Sequence, residues 1–399
     1  MGDRKMKRFV YLDNAATTKM APEVLDAMIP YLKESYGNPS SVYGFGANNK
    51  QAIMKQREII GDAIGAKSNE IYFTAGGTES DNWALKATVE AYRAKGNHII
   101  TTKIEHHALL HTCEYLEQQG CEVTYLDVNS EGVVDLDELR AAIRPTTILI
   151  SIMYANNEIG TIQPIQKIGK IAHEHKVLFH TDAVQALGQL RINVDDCHID
   201  MLSGSGHKIN GPKGIGFLYI RTGVKIRSFI HGGAQERKRR AGTENVPGII
   251  GLGMAVKLSA DTLDKRVAQE EALRDYYIKR VLEEIPYTRL NGSPVNRLAN
   301  NTNIGFRFIE GEALLIRLDM AGICGSSGSA CTSGSLDPSH VLLAIGLSHE
   351  IAHGSLRLSL SEKTTKDELD YVIQALTEIV QELRDMSPLY EDYMKKHKK

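Results

Sequence analysis

Between about residues 70 and 220, short runs of strand-forming residues alternate with helical stretches, and this alternation constrains the fold more than any other feature. The runs are EIYFTA, NHIITT, EVTYLDV, TILISIMYA, KVLFHTD, IDMLSGS and GIGFLYI. Nearly continuous apolar strands separated by helices predict a mostly parallel β-sheet with helices on both faces. Ligands bind such sheets at the carboxyl ends of the strands, so we expect the chemistry in the residues that follow each run.

The remainder of the chain predicts a second, smaller domain. A chain of 399 residues is too long for one ordinary core. A long helical segment over 267–285 follows the sheet region, and the last third has an α+β pattern that closes with a helix from about Thr365 to Met386. We expect a large domain over residues 17–262 and a small domain formed by residues 1–16 and 263–399.

Composition and charge argue against several classes of function. The net charge of -2 is unlike that of a general nucleic-acid binder, and no apolar run has the length of a membrane span. The start, MGDRKMKRFVYLDNAATT, lacks the apolar core and cleavage site of a secretory signal. The five cysteines include no C-x-x-C pair, as expected in a reducing compartment. We therefore expect a cytoplasmic protein that binds neither nucleic acid nor membrane directly.

The first informative strand end lies in FTAGGTESDN. Gly76 and Gly77 let the backbone approach a ligand, and the start of the following helix offers N–H groups to an anion. Thr78 is either a phosphate ligand or the N-cap of this helix, with Asp81 at N3. No G-x-G-x-x-G or Walker lysine motif is present in the sequence, so dinucleotide and nucleoside triphosphate sites lack support.

Two further strand ends carry charged residues. Asp182 ends the run LFHTD, where a carboxylate is either a turn cap or a charge directed at a ligand cation, and Gln185 follows three residues later. The run MLSGS leads into Ser205, His207 and Lys208 within a Gly-rich loop. A lysine directly after a buried strand is unusual for a purely structural role, because its ammonium group prefers water. When the ammonium group is desolvated, its pKa falls readily.

Together the three strand ends supply an anion cradle, a carboxylate and a lysine able to form a Schiff base. Pyridoxal 5'-phosphate requires this combination, since its phosphate, ring nitrogen and aldehyde each need one of these groups. The combination is far more specific than any of its members.

The motifs resemble those of the cysteine desulfurases of the NifS/IscS type, within the fold-type I pyridoxal-phosphate enzymes and the class-V aminotransferase family. The resemblance covers nearly the whole chain and rests on YLDNAATT, YGNPSS, GGTESDN, EHHA, ANNEIGTIQP, HTDAVQ, SGHKINGPKGIG, RAGTEN, SGSACTSG and GSLRLSLS. It implies an α/β fold with a mostly parallel seven-stranded sheet in the large domain and a smaller α+β domain that carries the catalytic cysteine loop.

The same resemblance implies roles for individual residues. Lys208 would form the Schiff base, Asp182 would keep the ring nitrogen protonated, and Gln185 would bond the ring hydroxyl. Thr243 would reach the phosphate of the neighbouring subunit, which makes the enzyme a homodimer. The residues that would hold the phosphate within the subunit are Gly77, Thr78, Ser205 and His207.

Substrate and sulfur chemistry are implied in the same way. His106 would stack on the ring and transfer protons, while Asn157 and Arg357 would bind the substrate carboxylate with the assistance of Asn38. Cys331, in the run GSSGSACTSG, is the expected nucleophile, because a Gly/Ser-rich segment cannot pack a core and a structural cysteine rarely lies in one. Cys324, at the end of an apolar stretch, is expected to be a buried spectator.

The implied reaction converts L-cysteine to L-alanine and leaves a persulfide on Cys331. The sulfur would pass to an acceptor protein, such as an iron–sulfur cluster scaffold that receives a cluster near Cys331, or to thiolation pathways. A selenocysteine lyase or a related pyridoxal-phosphate transferase would share everything except dependence on Cys331. A non-enzymatic scaffold would be expected to have lost Lys208, Asp182 or Cys331.

Two short patterns suggest other sites. His349-Glu350-Ile351-Ala352-His353 matches the H-E-x-x-H motif of zinc peptidases, but Gly354 ends the helix and the motif alone is prone to coincidence. We interpret it as coincidental and expect no metal site. The run RKRR at 237–240 is either a solvated turn or a local anion site.

Overall fold

A computed structural model describes residues 8–327 and 338–397 of the chain. The β-strands are β1 Val10–Tyr11, β2 Ile71–Thr74, β3 His98–Thr102, β4 Glu122–Leu126, β5 Thr147–Ser151, β6 Leu178–Asp182, β7 Met201–Ser205, β8 Gly216–Ile220, β9 Thr288–Leu290, β10 Asn301–Phe306, β11 Ile323–Cys324 and β12 Ser355–Ser359. The helices are α1 Pro22–Lys33, α2 Gly44–Ile64, α3 Gly77–Tyr92, α4 His107–Gln118, α5 Leu136–Ala142, α6 Ile165–Glu174, α7 Gln235–Lys238, α8 Val246–Glu284, α9 Gly311–Met320, α10 His340–Ala344, α11 His349–His353, α12 Lys366–Asp385 and α13 Pro388–His397.

A seven-stranded sheet forms the centre of the larger body, in the order β2-β8-β7-β6-β5-β3-β4. Its strand pairs are parallel except those of β8, which runs antiparallel to both β2 and β7. The prediction of a mostly parallel α/β sheet is confirmed. Because β2, β6 and β7 share one direction, their carboxyl ends meet at one edge of the sheet.

Both faces of this sheet are buried, which explains the continuous apolar runs in the sequence. Successive residues of a strand point to opposite faces. Ile99 and Leu149 accordingly pack with α3 and α4 on one face, whereas Ile100 and Ile150 pack in the core that α2 and the first half of α8 cover. A strand that alternated polar and apolar residues could not occupy this position.

The smaller body is built on the three-stranded antiparallel sheet β12-β10-β9, together with α9, α12 and the second half of α8. The N-terminal strand β1 joins it by pairing with β11, and Val10 and Leu12 lie in its core. Helix α12 begins after the N-cap Thr365, whose hydroxyl accepts from the backbone of Glu368, as the sequence predicts.

Helix α8 connects the two cores and is longer than the predicted segment over 267–285. Its first half packs through Ile249 and Leu252 against the large sheet, and its second half packs through Tyr277 and Val281 in the smaller core. Among the described residues it is the one helix with the length and composition of a membrane span, but 56% of its most apolar window is buried within the protein. The division of the chain between residues 262 and 263 stays a prediction.

Candidate active site

A cavity of about 350 Å³ lies at the carboxyl ends of β2, β6 and β7, where the smaller body meets the sheet. Its walls include residues from the N-terminal segment, the large sheet and β12. Ten of the residues predicted from the sequence line it together: Gly77, Thr78, His106, Asn157, Asp182, Gln185, Ser205, His207, Lys208 and Arg357.

The start of α3 forms one wall of this cavity, and its geometry depends on two glycines. Gly76 is the residue before the helix and has a φ of +153°, which side chains rarely tolerate. A Cβ on Gly77 would lie 2.7 Å from Val184 Cγ2, so a side chain cannot be added without a shift. Because Gly76 is the N-cap, the alternative that placed Thr78 there and Asp81 at N3 is wrong. Thr78 instead lies in the first turn, where backbone N–H groups point towards an anion.

Asp182 ends β6 at the floor of the cavity. Its side chain is buried, and its Oδ1 accepts a hydrogen bond of 2.9 Å from the backbone N–H of Val184. Burial raises the pKa of Asp182 to about 6, while the Val184 N–H and the charge of Lys208 act in the opposite direction. Gln185, three residues later, donates through Nε2 to the carbonyl of Ala15 at 3.0 Å.

Lys208 lies in a short 3₁₀ turn, Gly206–Lys208, that directly follows β7. Its Nζ donates to the carbonyls of Ala15 and Ala16 at 2.6 and 2.7 Å, which hold the ammonium group in the cavity. His207 contacts Thr17 Oγ1 through Nδ1 at 3.2 Å, and burial followed by the charge of Lys208 lowers the pKa of His207 to about 4. His207 is therefore a neutral group near pH 7.

His106 is the N-cap of α4 and faces the cavity from the opposite side. Its Nδ1 accepts a hydrogen bond of 3.1 Å from the backbone N–H of Ala108, so the other ring nitrogen is the one available to a ligand. Burial lowers the pKa of His106 to about 4, and the neighbouring charge of Lys208 contributes in the same direction. A neutral imidazole at this place can both accept and donate a proton.

Arg357 on β12 carries its guanidinium into the cavity from the smaller body. The side chain is buried and is oriented by Asp13 Oδ1 at 2.9 Å and by the carbonyl of Asn157 at 3.0 Å. Its Nε is buried and has no hydrogen-bond partner among the residues that the structure describes. Because Arg357 lines the cavity, its guanidinium charge suits an anionic substrate group.

Two predicted residues do not line the cavity of this subunit, and a third lies outside the described residues. Asn38 is exposed and its side chain accepts from the backbone of Ser40, while Thr243 is exposed in the segment before α8. Neither lines the cavity. Cys331 lies outside the described residues, which end at 327 and resume at 338.

Both flanks of the segment that contains Cys331 contact the site. Ser326 lines the cavity and pairs with the backbone of Arg357 in both directions, at 3.0 and 2.6 Å. On the other side, the Ser339 hydroxyl donates to Glu158 and caps α10, and His340 Nε2 contacts the carbonyl of Glu105 at 3.0 Å. Cys324, in contrast, is half-buried and paired in β11.

The basic run at 237–240 is exposed at Arg237 and Lys238, but two of its arginines are also bonded to the protein. Arg237 donates to the carbonyl of Ile71 at 2.8 Å and stacks on Tyr72, 3.9 Å from the ring centre. Arg240 forms a two-point ion pair with Glu79 in the first turn of α3. These contacts hold the segment that carries Thr243 against β2 and α3, the strand and helix that meet at Gly76 and Gly77 (the glycine cradle).

The histidine patterns do not assemble a metal centre in the described part of the chain. His107 and His111 share a face of α4, with ring centres 4.9 Å apart, and His340 lies 4.7 Å from His107. The H-E-x-x-H residues form the five-residue helix α11, with the first histidine exposed. Within residues 8–327 and 338–397, no group of three His, Cys, Asp or Glu side chains is placed to hold a metal ion.

The cavity fits pyridoxal 5'-phosphate by the chemistry of its donors. Gly76 and Gly77 have no side chains, so a phosphate can approach their backbone closely. The Ser205 hydroxyl lies near Gly76 and can donate to the same phosphate. A buried carboxyl at Asp182 suits a protonated ring nitrogen, and Lys208 lies in the same cavity for a covalent bond to the aldehyde.

Several residues of the site were not identified from the sequence. Asp13 orients Arg357, the carbonyls of Ala15 and Ala16 hold Lys208, and Asp81 lies buried in the cavity wall. Asp13, Ala15 and Ala16 contact residues that are far away in the sequence, so no local pattern places them in the site. The motif YLDNAATT did carry a signal, since an aspartate and an asparagine directly after a short strand are typical of a strand-end site.

The chain matches the family model described as Aminotransferase class-V over residues 10–372. A curated relative, cysteine desulfurase IscS from Methanosarcina thermophila, is 60% identical over 380 residues, which cover 95% of this chain and 94% of the relative.

Two solved structures have the same fold. A NifS-like protein superposes with a TM-score of 0.89 at 39% identity, covering 94% of this chain and 100% of its own. A second structure, described as SspA in complex with cysteine, has a TM-score of 0.79 at 40% identity and covers 89% of this chain and 100% of its own.

Proposed function

This chain belongs to the class-V aminotransferase family and, within it, to the pyridoxal-phosphate-dependent cysteine desulfurases, and we propose which of its residues perform the reaction. The observation that carries the proposal is the meeting of Lys208, Asp182 and Arg357 in one cavity of about 350 Å³. A lysine for the cofactor, an acid for its ring nitrogen and a guanidinium for the substrate carboxylate are the three fixed points that the reaction needs.

Pyridoxal 5'-phosphate, when bound, supplies an electron sink for the carbanion that forms when the substrate loses its Cα proton. Lys208 would hold the cofactor covalently, and its Nζ would accept the Cα proton of the substrate. Asp182 would keep a proton on the ring nitrogen, and Gln185 would bond the ring hydroxyl. The residues that bind the phosphate are Gly77, Thr78, Ser205 and His207.

Arg357 and Asn157 bind the carboxylate of L-cysteine and orient its Cα–H bond. Asp13 and the Asn157 carbonyl fix two guanidinium nitrogens of Arg357, which holds the guanidinium group in place beside the cavity. His106 is neutral at physiological pH and transfers a proton at the ring nitrogen that Ala108 does not occupy.

Cys331 receives the sulfur. Its thiolate attacks the substrate sulfur, a sulfur–sulfur bond forms, and the substrate Cβ–S bond breaks with its electron pair left on carbon. Protonation of that carbon gives L-alanine, so L-cysteine and one enzyme thiol become L-alanine and one enzyme persulfide. The flanking residues support this role, because Ser326 lines the cavity and Ser339 is hydrogen-bonded to Glu158, the residue after the cavity residue Asn157.

The enzyme is proposed to act as a cytoplasmic homodimer in which Thr243 reaches the phosphate of the neighbouring subunit, while Asn38 assists in binding the substrate carboxylate. The exposure of Thr243 in the single subunit, outside its cavity, supports this arrangement. Cys331 is proposed to pass its sulfur to an acceptor protein such as an iron–sulfur cluster scaffold, which receives a cluster near this residue.

Formation of L-alanine from L-cysteine, with pyridoxal phosphate and a thiol reductant, tests the sulfur step for the native protein, Cys331→Ala and the matched control Cys324→Ala. We expect turnover in the native protein and in the control, and none with Cys331→Ala. Turnover that persists without Cys331 would show a lyase that does not use this thiol.

Mixed dimers test the second proposal. Subunits with Lys208→Ala and subunits with Thr243→Val are combined, so that one site of each mixed dimer has an intact Lys208 and receives Thr243 from its neighbour. Activity above that of either parent supports exchange across the interface. Activity no higher than that of the parents contradicts it.

A further inference from the structure

Asp81 is a buried acid in the wall of the cavity, and the roles proposed above do not use it. It lies in α3, its side chain is 1% exposed, and it lines the same cavity as Asp182 and Lys208. Its Oδ1 has no hydrogen-bond partner among residues 8–327 and 338–397. A buried carboxyl with an unused oxygen is costly, so its presence here requires an explanation.

The surroundings place this acid beside Asp182. His180 and Asp182 lie two residues apart on β6 and share one face of the strand. Asp81 Oδ1 lies 3.8 Å from His180 Nε2 on that face. Ser203, the register partner of Asp182 on β7, contacts His180 at 3.0 Å, and its hydroxyl lowers the pKa of Asp81 against the larger effect of burial.

The two acids do not carry negative charge together. Burial raises the pKa of Asp81 well above its usual range, and the charges of Asp182 and, less strongly, Glu105 contribute. Asp182 has the Val184 N–H and the attraction of Lys208 to stabilise its charge. For Asp81, the Ser203 hydroxyl is the one group among these neighbours that lowers its pKa and so favours its charged form.

The other titratable neighbours leave the proton on Asp81. His180 is uncharged, because burial lowers its pKa to about 3. Glu105 is fully buried, and burial raises its pKa to about 8, although the Met153 N–H and the Thr102 hydroxyl donate to it and act in the opposite direction. A protonated carboxyl that is buried must direct its O–H to an acceptor, and the Asp182 carboxylate lines the same cavity.

We propose that Asp81 is a positioning residue that donates a hydrogen bond from its carboxylic acid group to Asp182 and thereby keeps Asp182 ionised for its pairing with the cofactor's ring nitrogen. The inference rests on the proposed pairing of Asp182 with that nitrogen. Without the donated bond, a buried Asp182 would take the proton from the ring nitrogen, and the cofactor would lose strength as an electron sink.

The ¹⁵N chemical shift of the ring nitrogen, measured in holoenzyme loaded with ¹⁵N-labelled cofactor, reports this proton directly. We expect Asp81→Ala to move the shift towards that of an unprotonated pyridine. Asp81→Asn, whose amide N–H still donates to Asp182, should restore the native shift. Glu105→Gln is the matched control, because it removes a second buried acid that makes no such donation, and it should leave the shift native.

The protonation state of Asp81 is tested separately in the full-length chain without added cofactor. A pKa raised in the folded state makes the native protein lose stability as pH rises above about 4, the value of the unfolded chain. The unfolding equilibrium constant of the native protein, relative to Asp81→Asn, should therefore rise about tenfold per pH unit from pH 4 towards the folded pKa. A ratio independent of pH would overturn the inference, since Asp81 would then be ionised.

The outcomes separate the inference from the function on which it rests. Asp182→Asn should also shift the ring nitrogen. If Asp182→Asn has no effect, the proposed role of Asp182 fails. If Asp182→Asn shifts the signal and Asp81→Ala does not, or if Asp81→Asn behaves as Asp81→Ala, only the role of Asp81 fails.

Discussion

The ion pair between Arg57 and Glu236 gives the sharpest prediction about the protein's architecture. Arg57 on α2 and Glu236 in α7 are joined by two hydrogen bonds, and their side chains are 6% and 4% exposed. Glu236 also accepts from the backbone N–H of Phe73 on β2 at 3.0 Å. The pair therefore fastens the left-handed turn ahead of Thr243 to the strand that leads into the glycine cradle.

Removing one partner leaves the other charge buried and unpaired. We expect Arg57→Met and Glu236→Gln each to lower the free energy of unfolding by about 3–5 kcal/mol. The double variant removes both charges, and its new glutamine oxygen still accepts from Phe73. The carbonyl of Ile71 loses Arg57 but keeps its hydrogen bond from Arg237. The double variant should thus lie within about 2 kcal/mol of the native protein.

Urea unfolding of the four proteins at one fixed protein concentration measures this cycle. If the two side chains acted independently, their effects would add to about 6–10 kcal/mol. The structure predicts instead a coupling of at least about 4 kcal/mol. A double variant that loses the sum of the single effects would refute a buried, mutually dependent pair.

Three further changes test the site. Arg357→Lys should raise KM for L-cysteine and lower kcat/KM by about 10- to 100-fold, since a hydrogen bond to a charged group contributes about 1.5–3 kcal/mol; an unchanged KM in steady-state assays would contradict carboxylate binding. Gly77→Ala should weaken cofactor binding, measured by titration, by about 1–3 kcal/mol through its clash with Val184, and adding Val184→Ala should recover part of the loss. Burial lowers the pKa of His180 to about 3, so the native protein should lose stability as pH falls from about 6.5 towards 3. Relative to His180→Asn, the free energy of unfolding should fall by up to about 1.4 kcal/mol per pH unit. Parallel curves of unfolding free energy against pH for the two proteins would contradict a neutral His180.

Much of the site could be predicted because parallel strands bring their ends to one edge. Asp182 and Lys208 follow neighbouring strands, and Thr78 follows a strand of the same direction, so their convergence depends only on the sheet. Arg357, whose role came from the family resemblance, arrives from the smaller body, and the sequence pattern alone does not specify that meeting.

Other features depend on contacts that no local pattern encodes. The carbonyls that hold Lys208 come from Ala15 and Ala16, which are more than 190 residues away and have no informative side chain. The sequence indicated Asp81 as a possible N3 residue of a helix capped by Thr78, but the helix begins earlier, at Gly77, and turns Asp81 inwards. Asn38 and Thr243 do not line the cavity of their own subunit, so their roles must be tested in an assembly of two subunits.

Borohydride reduction of the holoenzyme, followed by peptide mass spectrometry, tests most directly whether this cavity holds the cofactor. Reduction makes the bond between the cofactor and its lysine permanent. We predict the added pyridoxyl mass on the peptide that contains Lys208 and on no other peptide. The mass on a different lysine, or on none, would contradict the assignment of the cavity and of every role derived from it.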